Sequence, residues 1–277
     1  MFNFKKKKMK NIKYIIFVFL MTIVFTSCNE QEFLEEVAYD FYSPENSYST
    51  PEQIDIAVVQ LYDRTRAIYI GSSFRTFTFQ YTSDVGFDCI STTHQLASWS
   101  DNITPETMEV IWAWDSFYKI ITDANTLINR IEVVTYDSEA QKAAKIAEAK
   151  FFRAYAYRSL AILYGGVPLI ADEVTGPKRD YVRAPVNEVW DFIESDLLDA
   201  QRDLPDANNV EQDGRIAKAA ASHLLAEVYN TTKQWDKAIA AASSVIDNPN
   251  YESVNKSSKC HKPLIIFCPT LLLANQC

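Results

Sequence analysis

The stretch EAKFFRAYAYRSLAILYGGVPLI, residues 148–170, decides how the rest of the chain folds. Its apolar residues recur at the spacing of a helix and form two neighbouring stripes, and a helix that is apolar on two sides packs against more than one neighbour. The helix should stop at Gly165-Gly166 and Pro168, because glycine adopts the left-handed cap and proline prevents the helix from resuming. The stripes are Ala149, Phe152, Ala156, Leu160 and Leu163, and beside them Phe151, Ala154, Tyr155, Ala161 and Ile162.

Two arginines, Arg153 and Arg158, interrupt this apolar surface. A guanidinium in a largely buried position needs carboxylates or carbonyls around it, since an unpaired buried charge is very costly. The sequence therefore predicts that both side chains are paired.

Helical periodicity also dominates the chain on both sides of this stretch. Thr50-Pro51-Glu52 is typical of a helix start, with a capping hydroxyl, a proline in the first turn and an early acid. This first helix should run to about Tyr69. The other predicted helical segments are 106–131, 138–164, 185–203 and a hairpin over 214–246.

The hairpin has the tetratricopeptide pattern, with Leu and Tyr on its first helix and Ala on its second. Residues 138–164 and 185–203 form a weaker second copy of the same pair. We therefore predict an all-α fold of tetratricopeptide-like helical pairs, with one domain over 51–251 and a single long irregular loop.

That loop covers residues 72–105, where Ser, Thr and aromatic residues replace the helical period. Residues 76–81 alternate briefly and predict a short strand at most. A long irregular segment inside a helical domain is usually functional. We expect ligand-binding residues here rather than on the helices.

The N-terminus reads as a targeting segment. A lysine-rich start precedes a 12-residue apolar stretch, residues 14–25, that is too short to cross a bilayer comfortably. Thr26-Ser27-Cys28 then resembles a bacterial lipoprotein cleavage site. We predict a signal peptide over 1–27, lipidation of Cys28, for example by palmitate, and a tether over 28–50. The alternative is an ordinary secretory signal in which Cys28 is incidental.

The charge balance excludes one class of partner. The chain has 27 basic and 36 acidic residues, and removal of residues 1–27 leaves 21 basic residues and a net charge of −15. Phosphate backbones repel such a chain, so nucleic acid is not an expected partner. Membrane attachment would rest on the lipid alone.

Several motifs together resemble the SusD/RagB family of outer-membrane nutrient-binding lipoproteins. They are Glu148-Ala149, Phe152-Arg153-Ala154-Tyr155, Tyr164-Gly165-Gly166-Val167-Pro168-Leu169-Ile170, Ala124-Asn125 with Leu127-Ile128 and Ile131, and Asp196-Leu197 with Ala200 and Leu204-Pro205. The resemblance implies a protein of the outer membrane, facing outward, that captures oligosaccharide or another polymeric nutrient. It also implies delivery to a SusC-like TonB-dependent transporter.

The loop supplies the candidate ligand residues. Trp and Tyr rings stack on the apolar faces of sugars, whereas Asp, Asn and Arg bond their hydroxyls. Trp99 is the best stacking platform, and the alternative is that Trp99 packs on the helical core while the polar residues cap turns. The predicted glycan-binding residues are Trp99, Tyr81, Asp84, Asn102 and His94.

Catalysis finds little support in the sequence. No His-Glu-x-x-His, Cys-x-x-Cys or Gly-x-Ser-x-Gly motif occurs, and no phosphate-binding glycine loop is found. We predict no enzyme activity, no cofactor and no metal site. The competing interpretation is a tetratricopeptide-type assembly lipoprotein that binds protein segments.

The C-terminal tail over 252–277 is atypical of the family. It contains three cysteines and two apolar runs, Leu264–Phe267 and Leu271–Leu273. The sequence indicates either a truncated or frameshifted coding sequence or a short form with an apolar tail.

Overall fold

The protein is mainly helical in the part that the computed structural model describes, which comprises residues 47–69, 104–210 and 212–251. Helix accounts for 69% of these residues and none of them lies in a strand. The predicted all-α fold is therefore confirmed. The α-helices are α1 (Pro51–Tyr69), α2 (Met108–Arg130), α3 (Glu139–Tyr164), α4 (Val186–Asp203), α5 (Lys218–Thr231) and α6 (Trp235–Ile246), with short 3-10 helices at Ile131–Val133 and Ala207–Asn209.

Helix α1 begins as its sequence predicts. The Gln53 backbone N–H donates to the Thr50 hydroxyl at 3.4 Å, and the Gln53 side chain accepts from the Thr50 backbone N–H at 3.2 Å. These reciprocal bonds satisfy donors that a helix start otherwise leaves unpaired. The buried side of α1 consists of Ile54, Val58, Leu61, Thr65 and Ile68.

Helix α3 is the centre of the fold. It packs most extensively against α4, then against α2, and it also contacts α1 and α5. Of its 26 residues, 14 are buried. The prediction of two covered sides is confirmed except at Ile162 and Leu163, which are exposed. These two were wrongly assigned to the stripes, because only the side of the last turn that carries Tyr164 meets α2.

The helix stop lies where the sequence predicts it. Gly165 has a φ of 72° and donates its N–H to the Ala161 carbonyl at 3.0 Å. This left-handed conformation is accessible to glycine without strain. The next glycine is required for a different reason, since a Cβ on Gly166 would lie 2.3 Å from the Ala184 carbonyl oxygen.

The two predicted helical pairs are present. Helices α3 and α4 form one pair, α5 and α6 form the other, and α4 packs against α5 between them. The α5–α6 turn contains Lys233 with a φ of 61°. The predicted boundaries at residues 27, 50 and 251 stay predictions, and the predicted strand over 76–81 lies outside the described residues.

Candidate functional site

The predicted ligand and lipid residues lie outside the described part of the chain. This applies to Cys28 and to Trp99, Tyr81, Asp84, Asn102 and His94. The structure does describe where the chain enters and leaves the predicted loop, at the end of α1 and the start of α2. The residues around these two points belong to α1, α2 and α3.

Both ends of the loop are held by hydrogen bonds. Where α1 ends, the Tyr155 hydroxyl donates to the Tyr69 hydroxyl, and the two rings meet edge to face at 6.4 Å. Burial raises the pKa of both phenols, so both stay protonated at neutral pH. Before α2, the Thr104 backbone N–H donates to the Thr107 hydroxyl at 2.9 Å.

An aromatic cluster lies beside the N-terminal turns of α2. The Trp114 ring meets the Tyr164 ring edge to face at 5.1 Å and lies 4.9 Å from the Tyr118 ring. The Arg183 guanidinium lies 5.9 Å from the Trp114 ring. Trp114 is thus a packing residue, and Trp112 also packs against the core.

The extended segment after α3, residues 167–173, is held by polar side chains of α2 and α3. The Tyr118 hydroxyl donates to the Pro168 carbonyl at 2.8 Å, and the Asn125 amide donates to the Ile170 carbonyl at 2.8 Å. The Ile170 N–H in turn donates to the Tyr157 hydroxyl at 2.7 Å. These bonds replace the sheet or helix partners that an extended backbone lacks.

Arg153 is the centre of this polar arrangement and is only 5% exposed. Its Nε and Nη2 donate to the two oxygens of Asp196 at 2.7 and 2.8 Å. Its Nη1 donates to the Asn125 side-chain oxygen at 2.7 Å and to the Ala171 carbonyl at 2.9 Å. One guanidinium therefore joins α2, α3, α4 and the extended segment.

Two further contacts complete the segment. At its far end, Arg130 donates from Nε and Nη2 to Glu173, with distances of 2.9 to 3.1 Å. Near its start, the Ala184 N–H donates to the Val167 carbonyl at 3.0 Å, across the close approach at Gly166. The segment is consequently fixed along its whole length.

A second buried charge cluster joins α1, α3 and the start of the α5–α6 hairpin. Arg215 contacts Glu148 at 3.2 Å and also contacts Asp55, which pairs with Lys145 at 2.7 Å. The Tyr62 hydroxyl donates to Glu148 at 2.6 Å. The sequence patterns do not predict this cluster, whose one local signal is the three-residue spacing of Lys145 and Glu148 on one helix face.

The two carboxyls of this cluster respond oppositely to their surroundings. Burial raises the pKa of Glu148, in spite of Tyr62, Arg215 and Lys145, which lower it. Burial also acts to raise the pKa of Asp55, but Lys145 and Arg215 outweigh it and the pKa of that carboxyl is lowered. Both groups have cationic partners that hold them in place, which is the arrangement of a structural ion cluster.

Arg158 is paired as the sequence predicts, with Glu227 on α5 at 2.7 Å. Glu227 also lies 3.4 Å from the His223 imidazole on the same helix. Burial opposes ionisation of Glu227, yet His223 and Arg158 together lower its pKa. His223 thus lies on a helix face beside an ion pair, with no serine or cysteine nucleophile among these contacts.

The described residues contain no group of His, Cys, Asp and Glu with the geometry to hold a metal ion. Among the helices over 47–69, 104–210 and 212–251, none is long and apolar enough to cross a bilayer. These polar contacts position backbone segments. They hold the extended segment after α3, they bond Tyr69 at the end of α1 to α3, and they bond Thr104 to the start of α2.

The chain is similar in sequence to a family of known proteins. Residues 32–230 match a SusD-like family model described as "Starch-binding associating with outer membrane". A SusD-like protein of Bacteroides ovatus is 30% identical over 226 residues, covering 77% of this chain and 38% of that protein.

Two solved structures are also similar. A laminarin binding SusD-like protein superposes with a TM-score of 0.65 at 29% identity, covering 74% of this chain and 45% of the other. A structure determined with a xylogluco-oligosaccharide superposes with a TM-score of 0.58 at 26% identity, covering 73% and 41% of the two chains. The chain spans less than half the length of the curated relatives it matches.

Proposed function

The chain belongs to the SusD-like family, whose model is described as starch-binding and associating with the outer membrane, and we propose that it acts in a surface lipoprotein that binds oligosaccharide. The lipoprotein would deliver the sugar to a SusC-like TonB-dependent transporter. The observation that carries the proposal is the family match over residues 32–230, supported by the superposition on a laminarin binding relative.

The proposed ligand residues are those of the loop between α1 and α2. Trp99 supplies a stacking face, and Tyr81, Asp84, His94 and Asn102 supply further ring and hydrogen-bonding contacts. Helices α1, α2 and α3 support this role, since Tyr69 and Thr104 hold the two ends of the loop. A binding loop on a rigid base loses less conformational entropy when its ligand binds.

Binding without catalysis is the proposed chemistry. In the described part of the chain, the most buried carboxylates are Glu148 and Asp196, and both are engaged with arginines. Such groups position the backbone and are not available to a substrate. This observation supports a binding protein and not a glycosidase, whose two carboxyls face a cleft.

The test is calorimetry against oligosaccharides derived from laminarin and from xyloglucan, together with a starch oligosaccharide. We expect Trp99→Ala to weaken binding roughly thirtyfold, because a stacked aromatic anchor typically contributes about 2 kcal/mol or more. The matched control is Trp235→Ala, which removes an exposed indole on α6 and should leave affinity unchanged. Affinity should also be insensitive to salt, since a neutral sugar has no charge to screen.

Unchanged affinity in Trp99→Ala would place the site elsewhere. Failure to bind any sugar, with binding to an unfolded peptide instead, would favour the assembly lipoprotein. The anchor is tested separately by membrane fractionation, in which Cys28→Ala should move the protein from the membrane to the soluble fraction. An unchanged membrane fraction would contradict lipidation at Cys28.

A further inference from the structure

The last described helix, α6, has a second apolar side that is exposed. It packs on α5, and its inner side carries Ala241, which is buried, and Ala238, which packs against the core. A separate line at intervals of four, three and four residues is formed by Trp235, Ile239, Ala242 and Ile246, which we call the α6 stripe. Exposed fractions along it are 55% for Trp235, 65% for Ile239 and 77% for Ile246.

A helix with apolar residues on two sides is expected to have partners on two sides. The α6 stripe therefore calls for a covering segment in addition to α5.

Charge marks one edge of the α6 stripe. Asp236 and Asp247 each follow a stripe residue by one position and are eleven residues apart, so they lie on the same edge of the helix. Both side chains are exposed. A segment that suits this surface would be apolar, with positive charges next to the apolar part.

We propose that residues 264–267 of this same chain, Leu264-Ile265-Ile266-Phe267, dock on the α6 stripe. Residues 263–277 contain no Asp, Glu, Lys or Arg, so an uncharged apolar segment would meet an uncharged apolar stripe. The chain just before it contains Lys256, Lys259 and Lys262, which complement Asp236 and Asp247.

Chain length permits this docking. Helix α6 is about 18 Å long, at 1.5 Å per residue over its 12 residues. The 12 residues 252–263, which connect the last described residue to the apolar segment, span up to about 40 Å when extended. The apolar segment can therefore reach any point of the stripe from the end of the helix.

The test is hydrogen exchange on the full chain at a concentration where light scattering shows a monomer. In the unaltered chain, the amides of 264–267 should exchange at least tenfold more slowly than in an unstructured peptide, because docking protects them. Ile239→Asp should abolish that protection. Ile265→Asp combined with Ile266→Asp should in turn speed exchange within α6.

The control is Ile162→Asp, which places the same charge on another exposed apolar residue, on α3. It should leave the protection of 264–267 unchanged, and unchanged exchange in α2, which carries none of the substitutions, would show that each variant is folded. Three outcomes would overturn the proposal: unprotected amides at 264–267 in the unaltered chain, loss of protection with Ile162→Asp instead of Ile239→Asp, or a dimer that Ile239→Asp dissociates.

Discussion

Helices α3 and α6 start from the same sequence pattern and end in different environments. Both carry apolar residues on two sides, but α3 buries 14 of its 26 residues whereas α6 buries only Ala241 among its 12. The difference lies in their neighbours, since α3 lies among α1, α2, α4 and α5, and α6 packs chiefly on α5. An apolar stripe thus indicates that a partner is needed without saying which part of the chain supplies it.

The polar contacts follow the same contrast. Within α3, Arg153, Glu148 and Lys145 are buried and each has an oppositely charged partner. On α6, the charged residues Asp236 and Lys237 are exposed. Among the described residues, Arg153, Glu148, Lys145 and Arg215 are buried where several segments converge, because enough partners surround a charge there.

The largest expected effect is at the centre of α3. Arg153→Ala should lower the free energy of unfolding by about 3–5 kcal/mol, because Asp196 is left buried without its cationic partner. Urea unfolding followed by circular dichroism measures this change. Arg202→Ala is the control, since Arg202 is exposed and its partners on α4, Asp199 and Asp203, are only half-buried. An unfolding midpoint for Arg153→Ala equal to that of wild type would contradict a stabilising role of the Arg153–Asp196 ion pair.

The next effect tests the close approach after α3. Gly166→Ala should lower the free energy of unfolding by about 1–3 kcal/mol. The added Cβ would clash with the Ala184 carbonyl, so the backbone at Gly166 or at Ala184 would have to move. Gly176→Ala is the matched control, since no atom lies within 4 Å of its Cβ position. Equal melting temperatures for the two variants would show that the segment shifts without cost.

The charge cluster around Arg215 predicts a pH dependence. The pKa of Asp55 is lowered in the folded protein, so its ionised form stabilises the fold above the ordinary value of 3.8 and that stabilisation is lost as pH falls through the folded pKa. Asp55→Asn should therefore be less stable than wild type near neutral pH.

The difference in free energy of unfolding between wild type and Asp55→Asn should disappear below pH 3.8. Chemical unfolding at a series of pH values measures it. Glu148 should act in the opposite sense, because burial raises the pKa of that carboxyl and its contribution is most favourable at low pH. A gap for Asp55→Asn that stays constant down to acid pH would mean that the ion pairs do not affect folding.

The smallest effect is expected at the end of α3, where the helix resembles α6. Ile162 is 51% exposed, so Ile162→Ala should change stability by no more than about 0.5 kcal/mol. Leu160→Ala, two residues away and fully buried, should cost about 2–5 kcal/mol. Equal costs at the two positions would mean that Ile162 has a partner outside the described residues.

The local features of the fold were predictable because they depend on neighbours in sequence. The start at Pro51, the stop at Gly165 and the helical pairs follow from capping residues, glycine and apolar periodicity. The pairing of Arg153 and Arg158 was predictable in kind, since a buried guanidinium requires partners. Asp196 and Glu227, the partners themselves, were not, because they lie on other helices.

The charge cluster shows why the rest was out of reach. Arg215 joins Glu148 and Asp55, which are 67 and 160 residues away along the chain, and no local pattern links them. The same holds for Gly166, whose need for glycine depends on a carbonyl of Ala184. Such requirements exist only after distant segments have come together.

The sequence by itself determined the helices, their ends, the family resemblance and the two-sided apolar character of α3, because each of these is encoded in short-range spacing. Only the tertiary structure decided that α3 is enclosed while the α6 stripe is exposed, and which carboxylate meets which arginine. The physical reason is that burial is a property of contacts between segments. The same apolar stripe is core or surface according to what packs against it.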